Sequence, residues 1–146
     1  MSPEMNEDLT MGVLTTEECW ELLRAEEFGR LAFHLGAEVH LTPINYAVDG
    51  DTLLFRTAEG SKLLGIEMNP DVAFEIDEFD EHHARSVVVR GVARHLGEAE
   101  EHRADNVPLR PWVGDPKYDV VEIRPTEISG RAFELSRPWL HMLADR

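Results

Sequence analysis

Hydrophobic and polar positions change their period several times along this chain, and each change marks an element. Leu14 to Glu26 places Trp20 and Leu23 on one stripe with Cys19 and Leu22 beside it, the repeat of an amphipathic helix. Thr15 followed by Glu18 has capping-box spacing, and Phe28-Gly29 ends the helix. Gly29 to Leu35 then reads as a strand, Gly36 permits a turn, and Glu38 to Thr42 leads into Pro43. Pro43 to Asn69 reads as strand, tight turn at Asp49-Gly50, strand, glycine-containing corner and short helix, stopped by Asn69-Pro70. Asp71 to Asp77 alternates cleanly, with Val72, Phe74 and Ile76 on one face of a half-buried antiparallel strand. After a polar excursion over Glu78–Ala84, Arg85 to Leu96 is a long strand, apolar on both faces at Val87–Val89, with Gly91 marking a bend or bulge. Gly97 to Asp105 reads as a short charged helix and Asn106 to Pro116 as an irregular crossing. Tyr118–Arg124 and Thr126–Glu134 read as two final strands joined at Pro125. Too few helices alternate with strands for a doubly wound sheet, so the pattern predicts a mostly β chain, an antiparallel barrel with peripheral helices.

Composition narrows this picture. The chain has 146 residues, 42% of them hydrophobic, which suits one domain with one core. Residues 1–8 read as a disordered acidic tail and 9–146 as the single domain. No signal-peptide pattern opens the sequence, and no apolar run approaches the roughly 18 residues of a membrane helix. Cys19 is the only cysteine, which excludes an intramolecular disulfide and fits a reducing cytoplasm. Asp and Glu number 29 against 14 Lys and Arg, a formal charge of −15. Such a surface repels nucleic acid and anionic membrane, so neither is an expected partner.

Against that acidic background the basic corner between the second hairpin strand and the helix stands out. Arg56 and Thr57 close the strand, and Gly60-Ser61-Lys62 opens the helix. Two basic side chains, two hydroxyls and the N–H groups of a helix start can hold a phosphate. The alternative is a helix entry capped by Ser61 with solvated charges. Asp77, Glu78, Asp80, Glu81, His82 and His83 are dense in metal-ligating groups, but adjacent side chains on an extended segment point apart, which favours a solvated loop. His34 and His40 fall on strands and read as structural. No Ser-His-Asp or Cys-His arrangement assembles.

The ordered set Gly29-Arg30-Leu31-Ala32, Pro43-Ile44-Asn45-Tyr46, Asp49-Gly50, Phe55-Arg56-Thr57 with Gly60-Ser61-Lys62, Asn69-Pro70-Asp71-Val72-Ala73-Phe74-Glu75-Ile76-Asp77 and Ser86-Val87-Val88-Val89-Arg90-Gly91 resembles the pyridoxamine 5′-phosphate oxidase-like split-barrel flavoproteins, in particular their small bacterial branch. The resemblance runs from about residue 14 to 96. It implies a six-stranded antiparallel split β-barrel, a homodimer, and flavin mononucleotide (FMN) in clefts at the subunit interface. It places the phosphate cradle on Arg56, Thr57, Ser61 and Lys62. Pro43, Ile44 and Asn45 would run along the isoalloxazine. Strict alternation puts Arg56 and Thr57 on opposite faces, so both reach one phosphate only if the chain bends there.

Two departures matter. Arg85 stands where many relatives carry a Trp near the cofactor, facing either a ligand anion or solvent. The C-terminal half lacks the basic and His pattern with which true pyridoxamine phosphate oxidases hold substrate, and Arg137-Pro138-Trp139-Leu140-His141 does not replace it. The expectation is therefore an FMN-dependent oxidoreductase acting on a small molecule that the sequence does not name. The competing expectation is a non-catalytic binder of a flavin, deazaflavin or haem on the same barrel. No residue stands out as a general acid or base.

Overall fold

The computed structural model describes residues 11–58, 60–109 and 119–135. The 1–8 tail, most of the crossing before Tyr118 and the Arg137–His141 stretch lie outside them. The described strands are β1 (Met11–Val13), β2 (Phe28–Leu35), β3 (Glu38–Asn45), β4 (Ala47–Asp49), β5 (Thr52–Thr57), β6 (Asp71–Phe79), β7 (His83–His95) and β8 (Asp119–Glu134). The helices are α1 (Thr16–Ala25), α2 (Ser61–Met68) and a 3-10 helix at Glu101–Asn106.

All pairings are antiparallel, in the order β3-β2-β6-β7-β8-β5-β4, with β1 added on β8. β3 and β4 stand at opposite ends of that path yet are joined in the chain by Tyr46. The sheet must therefore curl back on itself, which makes it the expected split barrel. It has eight strands where the resemblance implied six, because β1 and the three-residue β4 extend it.

Tyr46 is the pivot. Its N–H donates to Glu27 O at 3.1 Å, its buried hydroxyl donates to Leu23 O at 2.6 Å, and its ring meets Phe74 edge-on at 4.8 Å. Those bonds tie the β3–β4 corner to the end of α1, and burial pushes the phenol's proton affinity up. The expected continuous strand from Pro43 to Val48 is broken there for this reason.

α1 begins as its capping box predicts: Glu18 N–H donates to Thr15 Oγ1 and Thr15 N–H to Glu18 Oε1. Its Cys19, Leu22 and Leu23 enter the main core with Leu31, Phe55, Phe74, Ile76, Val87, Val89 and Ile123. A second, smaller core of Ala47, Leu54, Leu96, Ala104, Leu109 and Val120 lies under the 3-10 helix. β5 is buried on both faces because it separates the two cores.

Three expectations shift. The β4–β5 turn is Gly50-Asp51, one residue later than Asp49-Gly50, since Asp49 pairs with Thr52 and Gly50 takes φ 61°. The short charged helix is 3-10 and starts at Glu101. β8 runs unbroken through Pro125. That residue sits opposite Gly91, where the predicted bulge displaces the β7–β8 register, so the missing proline N–H falls where the ladder is already irregular.

Candidate functional site

Alternation and burial fix the direction of the residues closing β5. Leu53 and Phe55 face the main core and Leu54 the second one, so Arg56 points toward the 3-10 helix and Thr57 away from it. The guanidinium of Arg56 donates to Leu109 O at 3.2 Å, to Ala104 O at 3.4 Å and to Asp105 Oδ1 at 3.3 Å. Thr57 is buried and its hydroxyl donates to Ala58 O. The two take opposite faces, and both already have partners within the chain.

α2 starts without a side-chain cap. Its N-cap is Gly60, not Ser61, and its first turn holds no acidic residue. Among the described residues the leading N–H groups therefore lack a side-chain acceptor, and no acidic residue of the first turn offsets the positive end of the helix dipole. Ser61 is exposed and Lys62 half-buried. Among the described residues Lys62 has no hydrogen bond or ion pair, and desolvation pulls its ammonium below the ordinary lysine range. A desolvated cation beside uncapped N–H groups is a site with unspent capacity for an anion.

Gly65 holds α2 where it is. A Cβ there would come within 2.2 Å of His34 O and 3.1 Å of the Phe33 ring, so only glycine lets the helix approach β2 this closely. This requirement was not read from the sequence, where a helical glycine is merely a weak propensity signal.

Pro43, Ile44 and Asn45 close β3, opposite Arg30, Gly29 and Phe28 of β2. Ile44 enters the main core, while Pro43 is exposed and Asn45 half-buried on the outer side. Val39 and Leu41 continue that side and are 70% and 69% exposed, leaving an apolar strip along a sheet edge. The structure thus brings Ser61 and Lys62 together at one helix start, puts Pro43 and Asn45 on an outer strand face, and ties Arg56 to the segment 101–109.

Arg85 is partly exposed and paired within the chain: its guanidinium grips Glu78 Oε1 at 2.6 Å through Nε. The pair lines a cavity of about 520 Å³ with Asp80, His83, Ala132 and Glu134, at the far end of β6–β8 from α2. Among the described residues no group of His, Cys, Asp and Glu can hold a metal. The structure does not make one loop of residues 77–83: Asp77 and Glu78 lie on β6 and His83 opens β7, which leaves Asp80–His82 as the turn between them. His40 stacks on Phe33 and reaches Glu38, a structural role. The sequence also hid a buried carboxylate. Glu122 is 2% exposed and is met by Arg103 at 2.8 Å, by Arg94 at 3.4 Å and by Arg124 at 3.7 Å.

Comparison with known proteins adds to this geometry. A family profile described as "Pyridoxamine 5′-phosphate oxidase" matches residues 15–132. A solved Corynebacterium glutamicum protein, provisionally described as a pyridoxamine 5′-phosphate oxidase, is 39% identical; the match covers 86% of this chain and 99% of that one, at a TM-score of 0.77. A Mycobacterium smegmatis structure described as an FAD binding protein is 40% identical over 84% of this chain and 98% of that one, with a TM-score of 0.72. A curated Mycobacterium tuberculosis protein of uncharacterised role is 40% identical over 87 residues, 59% of this chain and 79% of its own. Among the described residues no helix is long and apolar enough to cross a membrane.

Proposed function

Because the chain belongs to the pyridoxamine 5′-phosphate oxidase family, we propose that it is a flavin-dependent oxidoreductase acting on a small molecule, with FMN as its cofactor. One observation carries the reading: Lys62 is half-buried and, among the described residues, without a hydrogen bond or ion pair, beside a start of α2 that no side chain among them caps. A terminal phosphate dianion there would satisfy the free N–H groups and the ammonium together. Ser61 adds a hydroxyl at the same turn. Thr57 and Arg56 support the cradle from β5, Arg56 through the segment it anchors. Pro43, Ile44 and Asn45 offer strand backbone along which a flat ring can lie. The flavin, when bound, supplies the redox chemistry, and these residues bind it, orient it and exclude water.

The apolar strip of Val39 and Leu41 beside Pro43 supports a homodimer, because a second copy would cover it and wall the ring. Arg85 engaged with Glu78 and the missing basic pattern of the C-terminal half argue against pyridoxamine phosphate as the substrate. One cysteine in the whole chain supports a cytoplasmic setting.

The test is a visible spectrum of the purified protein, followed by titration with FMN, FAD and riboflavin. Flavin bands that bleach with a reduced nicotinamide and recover in air support the enzyme. Bound flavin that no electron donor reduces in turnover supports the non-catalytic binder. A Soret band, or no uptake of any flavin, refutes the reading.

A further inference from the structure

Three neighbouring strands end together beside α2. In the order β7-β8-β5, His95 closes β7, Asp119 opens β8 and Thr57 closes β5, with Asp119 standing directly opposite Thr57. Ala93, Val121 and Phe55, two residues further into each strand, lie in the main core. Alternation therefore turns His95, Asp119 and Thr57 to the same inner face. α2 packs at this end of the barrel, since its Leu63 and Ile66 belong to that core as well.

His95 lies between two carboxylates. Its Nδ1 is 3.3 Å from Glu67 Oε2, in the last turn of α2, and its Nε2 is 3.0 Å from Asp119 Oδ1. Whichever nitrogen carries the proton holds one carboxylate, and a ring protonated at both holds both. The half-buried imidazole thus clamps the helix that bears Ser61 and Lys62 to the strand that pairs with Thr57.

The other fixings of α2 leave it one freedom. The close approach of Gly65 to β2 holds its middle, and the bond from Ala93 N–H to Pro70 O fixes where the chain leaves it. Both act near the helix axis, so they permit a roll about that axis. Apolar packing of Leu63 and Ile66 is non-directional and resists a small roll less than a hydrogen bond does. A roll of about 10° carries a side-chain tip roughly 6 Å from the axis through about 1 Å. That is enough to misalign a charge-assisted contact. The Glu67 side chain stands off the axis, and holding it stops the roll.

We propose that His95 is a positioning residue for the phosphate corner: by binding Glu67 and Asp119 at once it locks α2 to β8 and sets where Ser61 and Lys62 stand relative to Thr57. This rests on the FMN reading and deepens it, because His95 acts through α2 rather than on the ligand.

Glu67→Ala is the decisive variant, since a general charge effect predicts the opposite sign. It removes a negative charge from an acidic chain and puts the best helix former into α2. By the long-range field alone FMN should then bind as well or better. Loss of the clamp instead weakens FMN roughly three- to tenfold, part of the ten- to hundredfold that a whole charge-assisted contact is worth. Riboflavin, with no phosphate to align, should bind as it does to the wild type. Glu67→Gln keeps an acceptor within reach of Nδ1 and should recover most of the loss. His95→Leu should weaken FMN at least as much as Glu67→Ala, and the double variant no further, because both changes break one interaction. Fluorescence titration of the full chain with FMN and riboflavin, at neutral pH and about 0.15 M salt, measures each arm. A Glu67→Ala protein that binds FMN as tightly as the wild type, or more tightly, overturns the inference. So does an equal loss of FMN and riboflavin, which would make the clamp a support of the fold at large. Wild type that binds no FMN, or binds it no more tightly than riboflavin, overturns the phosphate reading first, and this inference with it.

Discussion

Replacing Lys62 by methionine should move stability and affinity in opposite directions. In the free protein the ammonium is desolvated and has no partner among the described residues, and its proton affinity is depressed by burial. The unfolded chain then holds that proton more tightly than the folded one. Stability of the wild type therefore rises with pH between the lowered folded-state value and the ordinary 10.5, and at neutral pH the charge works against folding. Methionine keeps most of the apolar stem and removes the charge. Stabilising substitutions of this kind yield about 0.5–2 kcal/mol, or about 2–8 °C in Tm for a chain of this size. The gap between variant and wild type should narrow as pH approaches 10.5. FMN affinity should fall, because a charge-assisted contact is worth roughly 1.5–3 kcal/mol, about ten- to a hundredfold. Riboflavin, with the same ring and no phosphate, should hardly notice. Arg24→Gln, an exposed site on α1 without a partner among the described residues, is the charge control. Arg103, which its sequence context presents as a solvated helix residue, is unsuitable because it binds Asp49, Thr52 and Glu122. Calorimetry and flavin fluorescence quenching measure both arms. If Lys62→Met leaves FMN within about twofold of wild type, below ~0.6 kcal/mol, the phosphate lies elsewhere and the corner is only an uncapped helix start.

Arg103→Ala should lower Tm by about 8–16 °C, since it strips a fully buried carboxylate of its shortest partner and such losses cost ~2–4 kcal/mol; a shift under about 3 °C would show that Arg94 and Arg124 suffice. Gly65→Ala should weaken flavin binding together with stability, because the added Cβ meets His34 O and α2 must back away from β2; unchanged Tm and affinity would deny that close approach. Cys19, buried and with its thiol pushed up by desolvation, should react with a thiol reagent only at the rate of global unfolding; rapid labelling in native buffer would contradict its packing.

Much of the fold was legible because local chemistry and tertiary placement agree. The capping box at Thr15 and Glu18, the alternation of Val72, Phe74 and Ile76, and the bulge at Gly91 are each enforced by short-range sterics or a two-residue period. Pro125 misled for a long-range reason. Its cost in a strand depends on the partner, and here the partner is Gly91, whose Cβ would stand 2.5 Å from Arg124 O. Tyr46 looks like an ordinary strand aromatic, and only its hydroxyl's reach to Leu23 O reveals a corner. Glu122 alternates as a surface residue would. The segment 101–109, thirteen residues or more before it in sequence, folds over it and turns a surface position into a buried one.

The candidate site divides along the same line. Arg56 and Lys62 are equivalent in the sequence, two cations six residues apart flanking a glycine corner. Tertiary structure makes them different. Arg56 is consumed by two carbonyls and a carboxylate of the 3-10 segment, so moving it to a phosphate would give up those bonds. Among the described residues Lys62 has no such bond to give up. A phosphate therefore gains more from Lys62, where the desolvation has already occurred in the folded chain, than from a guanidinium that must first release Asp105. Arg56→Ala should consequently act first on stability, through the loosened 101–109 segment, and only secondarily on FMN. In Lys62→Met the order is reversed, and the affinity falls while the fold gains. Measured side by side, the two variants distinguish a residue that builds the corner from one that the corner was built to present. If Arg56→Ala instead loses FMN as completely as Lys62→Met while its Tm is unchanged, the bonds to Leu109, Ala104 and Asp105 are surrendered on binding, and both cations hold the phosphate.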